Sequence, residues 1–178
     1  MRIYLAGPEV FLPDAAALGA AKKAICARHG LEGVFPLDTQ ELPAADLPDW
    51  ARIHAACEAH MRSCDALLAN LTPFRSGGAD PGTTLELGYM RALGRPLFGY
   101  THATGDYRTR ITSRRDGAAW RDEAGMEVED FGLSDNLMIE GSIAASGGLF
   151  FRPAAPLGWN DTSLFEACVV AAARRLLG

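Results

Sequence analysis

Two carboxylates stand six residues apart in the stretch "ADPGTTLELGYM": Asp80, directly before a proline, and Glu86, among apolar positions of the helix that follows. One helical turn from Glu86 lie Gly82, Thr83, Tyr89 and Met90, and Leu85, Leu87 and Leu93 continue the segment, so few directions around the carboxylate avoid apolar contact. A carboxylate held partly out of water beside a helix N-terminus is either stabilised there or used for chemistry. Such a pair suits glycosyl transfer. One carboxylate attacks or stabilises an oxocarbenium-like centre while another acidic group assists the leaving group. The plainer reading makes Asp80 the N-cap and Pro81 the first residue of a well-started helix, with Glu86 facing solvent.

Other residue groups suggest other chemistry. "FRSGG" (74–78) could cradle a phosphate through backbone amides and Arg75. His54, Cys57 and Glu58 could share a helix face and hold a metal, but no second ligand cluster appears, so no metal centre is expected. Cys26, Cys57, Cys64 and Cys168 form no CxxC pair and read as small buried hydrophobes. His29 and His102 read as surface or loop residues. Arg108, Arg110, Arg114 and Arg115 are followed by Asp116, Asp122 and Glu123, the pattern of a solvated loop.

The elements that must position these residues alternate between short strands and longer helices, which produces a mostly parallel sheet with helices on its faces. "RIYLAG" (2–7) is a strand ended by Gly7 and Pro8, and the apolar spacing over 13–30 is a helix stopped at Gly30. A second strand is expected at 33–38, a proline-rich connector at 43–48, and an amphipathic helix at 49–64 in which Ile53, Cys57 and Met61 recur every fourth residue. The continuous apolar run 65–71 is a buried strand. A glycine-rich loop, a helix over 82–94 and a fourth strand at 95–100 follow. Residues 102–131 are polar and mixed in charge, a long loop or a flap over a site, and 163–178 form a C-terminal helix. Glu86 and Asp80 thus fall at the carboxyl end of a buried strand, where open α/β sheets bind ligands.

The chain has 178 residues, 48% apolar and 22% charged, an ordinary globular composition, and a single domain over 1–178 is expected. A net charge of −5 gives no footprint for nucleic acid. No stretch has the length of a signal peptide's apolar region or of a membrane span, so a cytosolic location without membrane partners is expected.

"RIYLAGP" (2–8), "FPLD" (35–38), "LANLTPFRSGGADPGTTLELGYMRALGRPLFGYT" (68–101) and "SDNLMIEG" (134–141) together resemble the nucleoside 2-deoxyribosyltransferases. The combination of D-x-G-T-x-x-E-x-G with a later D-N-x-M is far more specific than either piece. The resemblance implies a Rossmann-like (flavodoxin-like) three-layer sandwich and a ping-pong transfer of deoxyribose between nucleobases, without cofactor. Glu86 falls on the family's nucleophilic glutamate, and Tyr4 on a tyrosine whose hydroxyl orients it. Asp80 falls on an aspartate that contacts substrate and assists the departing base. Gly7, Phe11, Phe74, Arg75 and Gly82 are the further substrate-binding candidates. Asn136 and Met138 match residues that a neighbouring subunit lends to the site, which implies a homo-oligomer acting on deoxynucleosides and free nucleobases. Without the resemblance Tyr4 would be a core-edge aromatic, Asn136 a turn residue and Met138 a gap-filler.

One position departs from the family. Eight residues before Asp65, where an aspartate or asparagine often handles the base, the chain has Cys57, with Glu58 or His54 as possible substitutes. Two other functions compete. The same fold and glutamate could hydrolyse a nucleoside 5′-monophosphate, although the GG-x-GT-x-x-E motif of cytokinin-activating phosphoribohydrolases is out of register here by two residues. A nucleotide-binding module without chemistry is the second alternative.

Overall fold

Along Arg2–Ala6 the side chains of Ile3 and Leu5 point to one face of the strand and those of Tyr4 and Ala6 to the other, and all four are buried. Both faces of this first strand, β1, are therefore covered, as a parallel sheet requires. The computed structural model describes residues 1–38 and 47–178; the connector expected at 43–48 falls mostly outside them. After β1 come a turn of 3-10 helix (Pro8–Phe11), α1 (Ala15–Arg28), β2 (Glu32–Val34), α2 (Asp49–Arg62), β3 (Ala66–Asn70), α3 (Pro81–Ala92) and β4 (Leu97–Tyr100). There follow α4 (Tyr107–Arg110), β5 (Ser113–Asp116), β6 (Ala119–Asp122), β7 (Glu127–Val128), α5 (Leu137–Ala145), β8 (Phe150–Phe151) and α6 (Ser163–Leu177).

Among the described residues, five strands form one all-parallel sheet in the order β2-β1-β3-β4-β8. This is the 2-1-3-4-5 arrangement of flavodoxin-like folds. On one face α1 and α6 pack Ile25, Cys26, Phe165, Cys168 and Val169 against Ile3, Leu5, Leu68, Phe98 and Tyr100. On the other, Met61 of α2, Leu87 and Met90 of α3, and Ile139 and Ile143 of α5 pack against Tyr4, Ala6, Leu67 and Ala69. The result is the three-layer α/β sandwich. The alternation along β1 also decides which helices Tyr4 meets, namely α2, α3 and α5.

Two segments differ from the sequence expectation. The second strand stops at Val34 instead of running to Asp38, because Pro36 has no amide to donate and Phe35–Asp38 fold into a turn closed by Asp38 N to Phe35 O at 2.9 Å. Residues 102–131 are not a long loop: they hold α4 and an antiparallel sheet of β5, β6 and β7. A two-residue turn at Gly117-Ala118 joins β5 to β6, with Gly117 at φ 59°, a conformation that a side chain disfavours. Among the described residues, no helix is long and apolar enough to cross a membrane.

Candidate active site

Helix α3 starts where the sequence places its start signals. The Asp80 carboxylate accepts from the Thr83 amide at 2.8 Å and from the Thr83 hydroxyl at 3.0 Å, so Asp80 is the N-cap and Pro81 opens the first turn. Six residues on, Glu86 projects from α3 toward β1. There the hydroxyl of Tyr4, a residue with no exposed surface, donates to Glu86 Oε1 at 2.6 Å. Burial pushes the Glu86 carboxyl from its ordinary 4.5 up to about 7; the Tyr4 hydrogen bond opposes the rise and the nearby Asp80 charge adds to it. Burial and the Glu86 charge in turn raise the Tyr4 hydroxyl, so it stays a proton donor throughout the physiological range.

A cleft of about 300 Å³ opens beside this carboxylate between α2 and α3. Met61, Leu85 and Tyr89 give it apolar walls, Gly82 lies at its edge, and His54, Cys57 and Glu58 bring polar groups from α2. Cys57 therefore departs from the reading of every cysteine as a buried hydrophobe. Cys26, Cys64 and Cys168 are buried, whereas Cys57 is half-buried in the cleft. Burial raises its thiol and the Glu86 charge adds to the rise.

The other candidates occupy two places. Gly7 ends β1, and a Cβ there would meet Glu9 Oε2 at 1.9 Å, so the close approach requires glycine. Beyond it the Phe11 and Phe74 rings stack with centroids 5.3 Å apart. The Arg75 guanidinium covers both rings, 4.5 Å from Phe74 and 5.1 Å from Phe11, on a backbone at φ 57°. This stack caps the carboxyl edge of the sheet. Asn136 and Met138 lie elsewhere, along grooves between α3 and α5. Asn136 caps α5 by accepting from the Met138 amide at 3.0 Å and donates to Glu129 at 2.6 Å, while Met138 is 66% exposed. Within one chain, neither lines the Glu86 cleft.

A buried polar cluster under Gly7 was not foreseen. Glu9 pairs with Lys22 through Oε1, which also accepts from Asn70 at 2.7 Å and from Tyr100 at 3.0 Å. The side chains of both ions are almost wholly buried, at 1% and 4% exposure. Lys22 stands on the Leu18–Ile25 face of α1, so a lysine in a buried stripe was the available signal. His102, read as a surface or loop residue, is 2% exposed and packs on Tyr100 with ring centroids 5.2 Å apart; burial lowers its pKa. Arg110 and Arg108, read as part of a solvated loop, are also engaged. Arg110 donates to three backbone carbonyls, and Arg108 lies 4.1 Å over the Trp120 ring.

A family model described as nucleoside 2-deoxyribosyltransferase matches residues 3–138. An uncharacterised protein of Schizosaccharomyces pombe is 36% identical over 167 residues, covering 82% of this chain and 78% of its own. Among solved structures, a 2-deoxyribosyltransferase from Leishmania mexicana superposes with a TM-score of 0.61 at 30% identity, over 81% of this chain and 95% of that one. A CMP N-glycosidase from Clostridium botulinum, 12% identical with a TM-score of 0.50 over 99% of this chain and 98% of its own, shares the fold. With the family's model spanning both the Tyr4–Glu86 pair and the Asn136 cap, the chain belongs to the nucleoside 2-deoxyribosyltransferase family.

Proposed function

We propose that the protein transfers 2-deoxyribose from one nucleobase to another in two steps, through a covalent ester on Glu86. The observation that carries this reading is the Tyr4–Glu86 hydrogen bond at the wall of the cleft. Tyr4 occupies Oε1 and leaves Oε2 to act as the nucleophile. Glu86 Oε2 attacks the anomeric carbon as the bond to the base nitrogen breaks, and the electron pair leaves with the base. Asp80, which contacts the substrate, assists by relaying a proton from solvent to that nitrogen. The second base then attacks the same carbon as the ester C–O bond breaks, gives up its ring N–H proton to solvent through Asp80, and returns Glu86 to its carboxylate. The lack of a 2′-hydroxyl eases the oxocarbenium-like state, so these groups suffice without a cofactor.

Gly7, Phe11, Phe74, Arg75 and Gly82 are proposed to hold the nucleoside around this pair. Asn136 and Met138 are proposed to complete the site of a neighbouring subunit, in a homo-oligomer that serves nucleoside salvage in the cytoplasm. The exposure of Met138 on the α3–α5 surface supports that arrangement.

The experiment is chromatography of the pure protein with deoxyinosine, with and without adenine. Deoxyadenosine formed only with adenine is the expected result. Equal release of hypoxanthine without adenine would make water the acceptor and the protein a glycosidase. No base released from nucleosides or monophosphates, despite saturable binding, would leave a binding module.

A further inference from the structure

Three stretches that are distant in sequence meet beside the start of α3. They are the glycine-rich loop 74–79, the Gly105–Arg110 segment leading into the three-stranded sheet, and 133–136, where the chain leaves that sheet. Arg110 donates through Nε to the Gly77 carbonyl at 2.8 Å, through Nη1 to Gly105 O at 3.2 Å, and through Nη2 to Ser134 O. Asp135, 5% exposed, accepts the Ala79 amide on one carboxylate oxygen and the Asn136 amide on the other, each at 2.8 Å. The neck of the 105–135 excursion is closed by Tyr107 N to Leu133 O, also at 2.8 Å.

All these partners are main-chain atoms. A side chain bonded to main chain on several segments fixes where those backbones run, and a charged one does so with bonds stronger than neutral ones. The two glycines admit this close approach. A Cβ on Gly77 would reach within 2.4 Å of Ile111 Cδ1, and one on Gly78 within 3.3 Å of Asp135 Oδ1. Ala79, whose amide Asp135 holds, directly precedes Asp80, so the carboxylate of Asp135 ties down the residue that leads into the N-cap of α3.

We propose that Arg110 and Asp135 are positioning residues that latch the 105–135 excursion to the glycine-rich loop and thereby hold Asp80 in place beside Glu86. The proposal rests on the deoxyribosyl-transfer reading of the Glu86 cleft. Neither residue touches substrate; each acts on the reaction through Asp80.

The test compares wild type with Asp135→Ala, Arg110→Ala and Arg110→Lys, by kinetics of deoxyinosine-to-adenine transfer and by amide hydrogen exchange. In the alanine variants, exchange over 76–84 is expected to accelerate roughly tenfold or more while α1 and α6 stay protected. In the same variants kcat is expected to fall roughly tenfold or more with KM nearly constant, and Arg110→Lys to recover part of both. Accelerated exchange with an unchanged kcat overturns the positioning role, and unchanged exchange overturns the latch. If an alanine variant loosens throughout, Arg110→Lys decides by the same two readouts. A wild type that transfers no deoxyribose overturns the functional reading and not the latch, which the exchange data decide alone.

Discussion

Tyr4 and Glu86 lie 82 residues apart in the chain and 2.6 Å apart in space, the tyrosine hydroxyl donating its one proton to Glu86 Oε1. The bond joins the buried first strand to the third helix, and it works against the burial that otherwise favours the neutral carboxyl.

Glu86→Ala and Glu86→Gln are expected to lower transfer by at least about a thousandfold while leaving the fold intact, as loss of a nucleophile does. Stability gives an independent check. The folded pKa of about 7 lies above the ordinary 4.5, so Glu86 favours the folded state least once pH has risen through 7. Glu86→Gln should therefore stabilise by about 1–3 kcal/mol at pH 8 and by nothing measurable at pH 4. Equal melting shifts at both pH values would contradict the buried carboxylate.

The pH profile of kcat/KM should rise toward alkaline pH with an apparent pKa near 7, since only the ionised Glu86 attacks. Tyr4→Phe removes the hydrogen bond that lowers this value, so the acidic limb should move up. Asp80→Asn removes a charge that raises it, so the limb should move down. Shifts in the same direction for both variants would rule out this assignment of the limb to Glu86.

Cys57 is the one cysteine of the four that is not fully buried, and its thiol is held neutral by burial. Iodoacetamide should react with it slowly at pH 7 and faster above pH 9, with loss of activity that substrate prevents. Cys57→Ala should resist the reagent. Inactivation of that variant at the wild-type rate would place the sensitive thiol elsewhere.

Glu9→Ala leaves Lys22 buried without its carboxylate partner, and should destabilise the protein by about 3–5 kcal/mol in urea unfolding. Burial alone would raise the Glu9 carboxyl, but the Lys22 charge and the hydrogen bonds from Lys22, Asn70 and the backbone together outweigh it and hold it below the ordinary value. The pair's stabilisation is therefore fully present above the ordinary carboxylate value and lost as pH falls below it through the lowered folded value. A loss under about 1 kcal/mol would show that water reaches Lys22 in the variant.

Glu86→Ala and Asn136→Ala are each expected to be inactive alone, and to regain part of the activity when unfolded and refolded together. In a mixed oligomer one site then carries both intact residues. Two inactive proteins that stay inactive on mixing, or a fully active monomer, would remove Asn136 and Met138 from a neighbour's site.

The sandwich was legible because its strands are short apolar runs and its helices carry regular apolar spacing, signals that act within a few residues. Glu86 stood out for the same reason, as a carboxylate at a crowded helix position. The three-stranded sheet escaped because its strands are polar and only Gly117 marks the turn between the first two. The burial of His102 and Lys22 and the engagement of Arg110 escaped for another reason: their partners come from distant segments, Glu9 and Tyr100 for Lys22 and the 77 and 134 carbonyls for Arg110. A local pattern carries no information about such partners. The Tyr4–Glu86 pair was implied by resemblance to a family and not by the residues themselves, for a tyrosine on a strand is ordinarily core.

The outer strands of the five-stranded sheet, β2 and β8, contribute three and two residues, against five, five and four from the strands between them. Exposed strand edges are templates on which other chains add and aggregate, and the template lengthens with the edge. Among the described residues each margin is a run of only two or three residues, and Glu32 sets an exposed charge on one of them. The folded protein is thereby guarded against strand-by-strand growth into fibrils at both sides of its sheet.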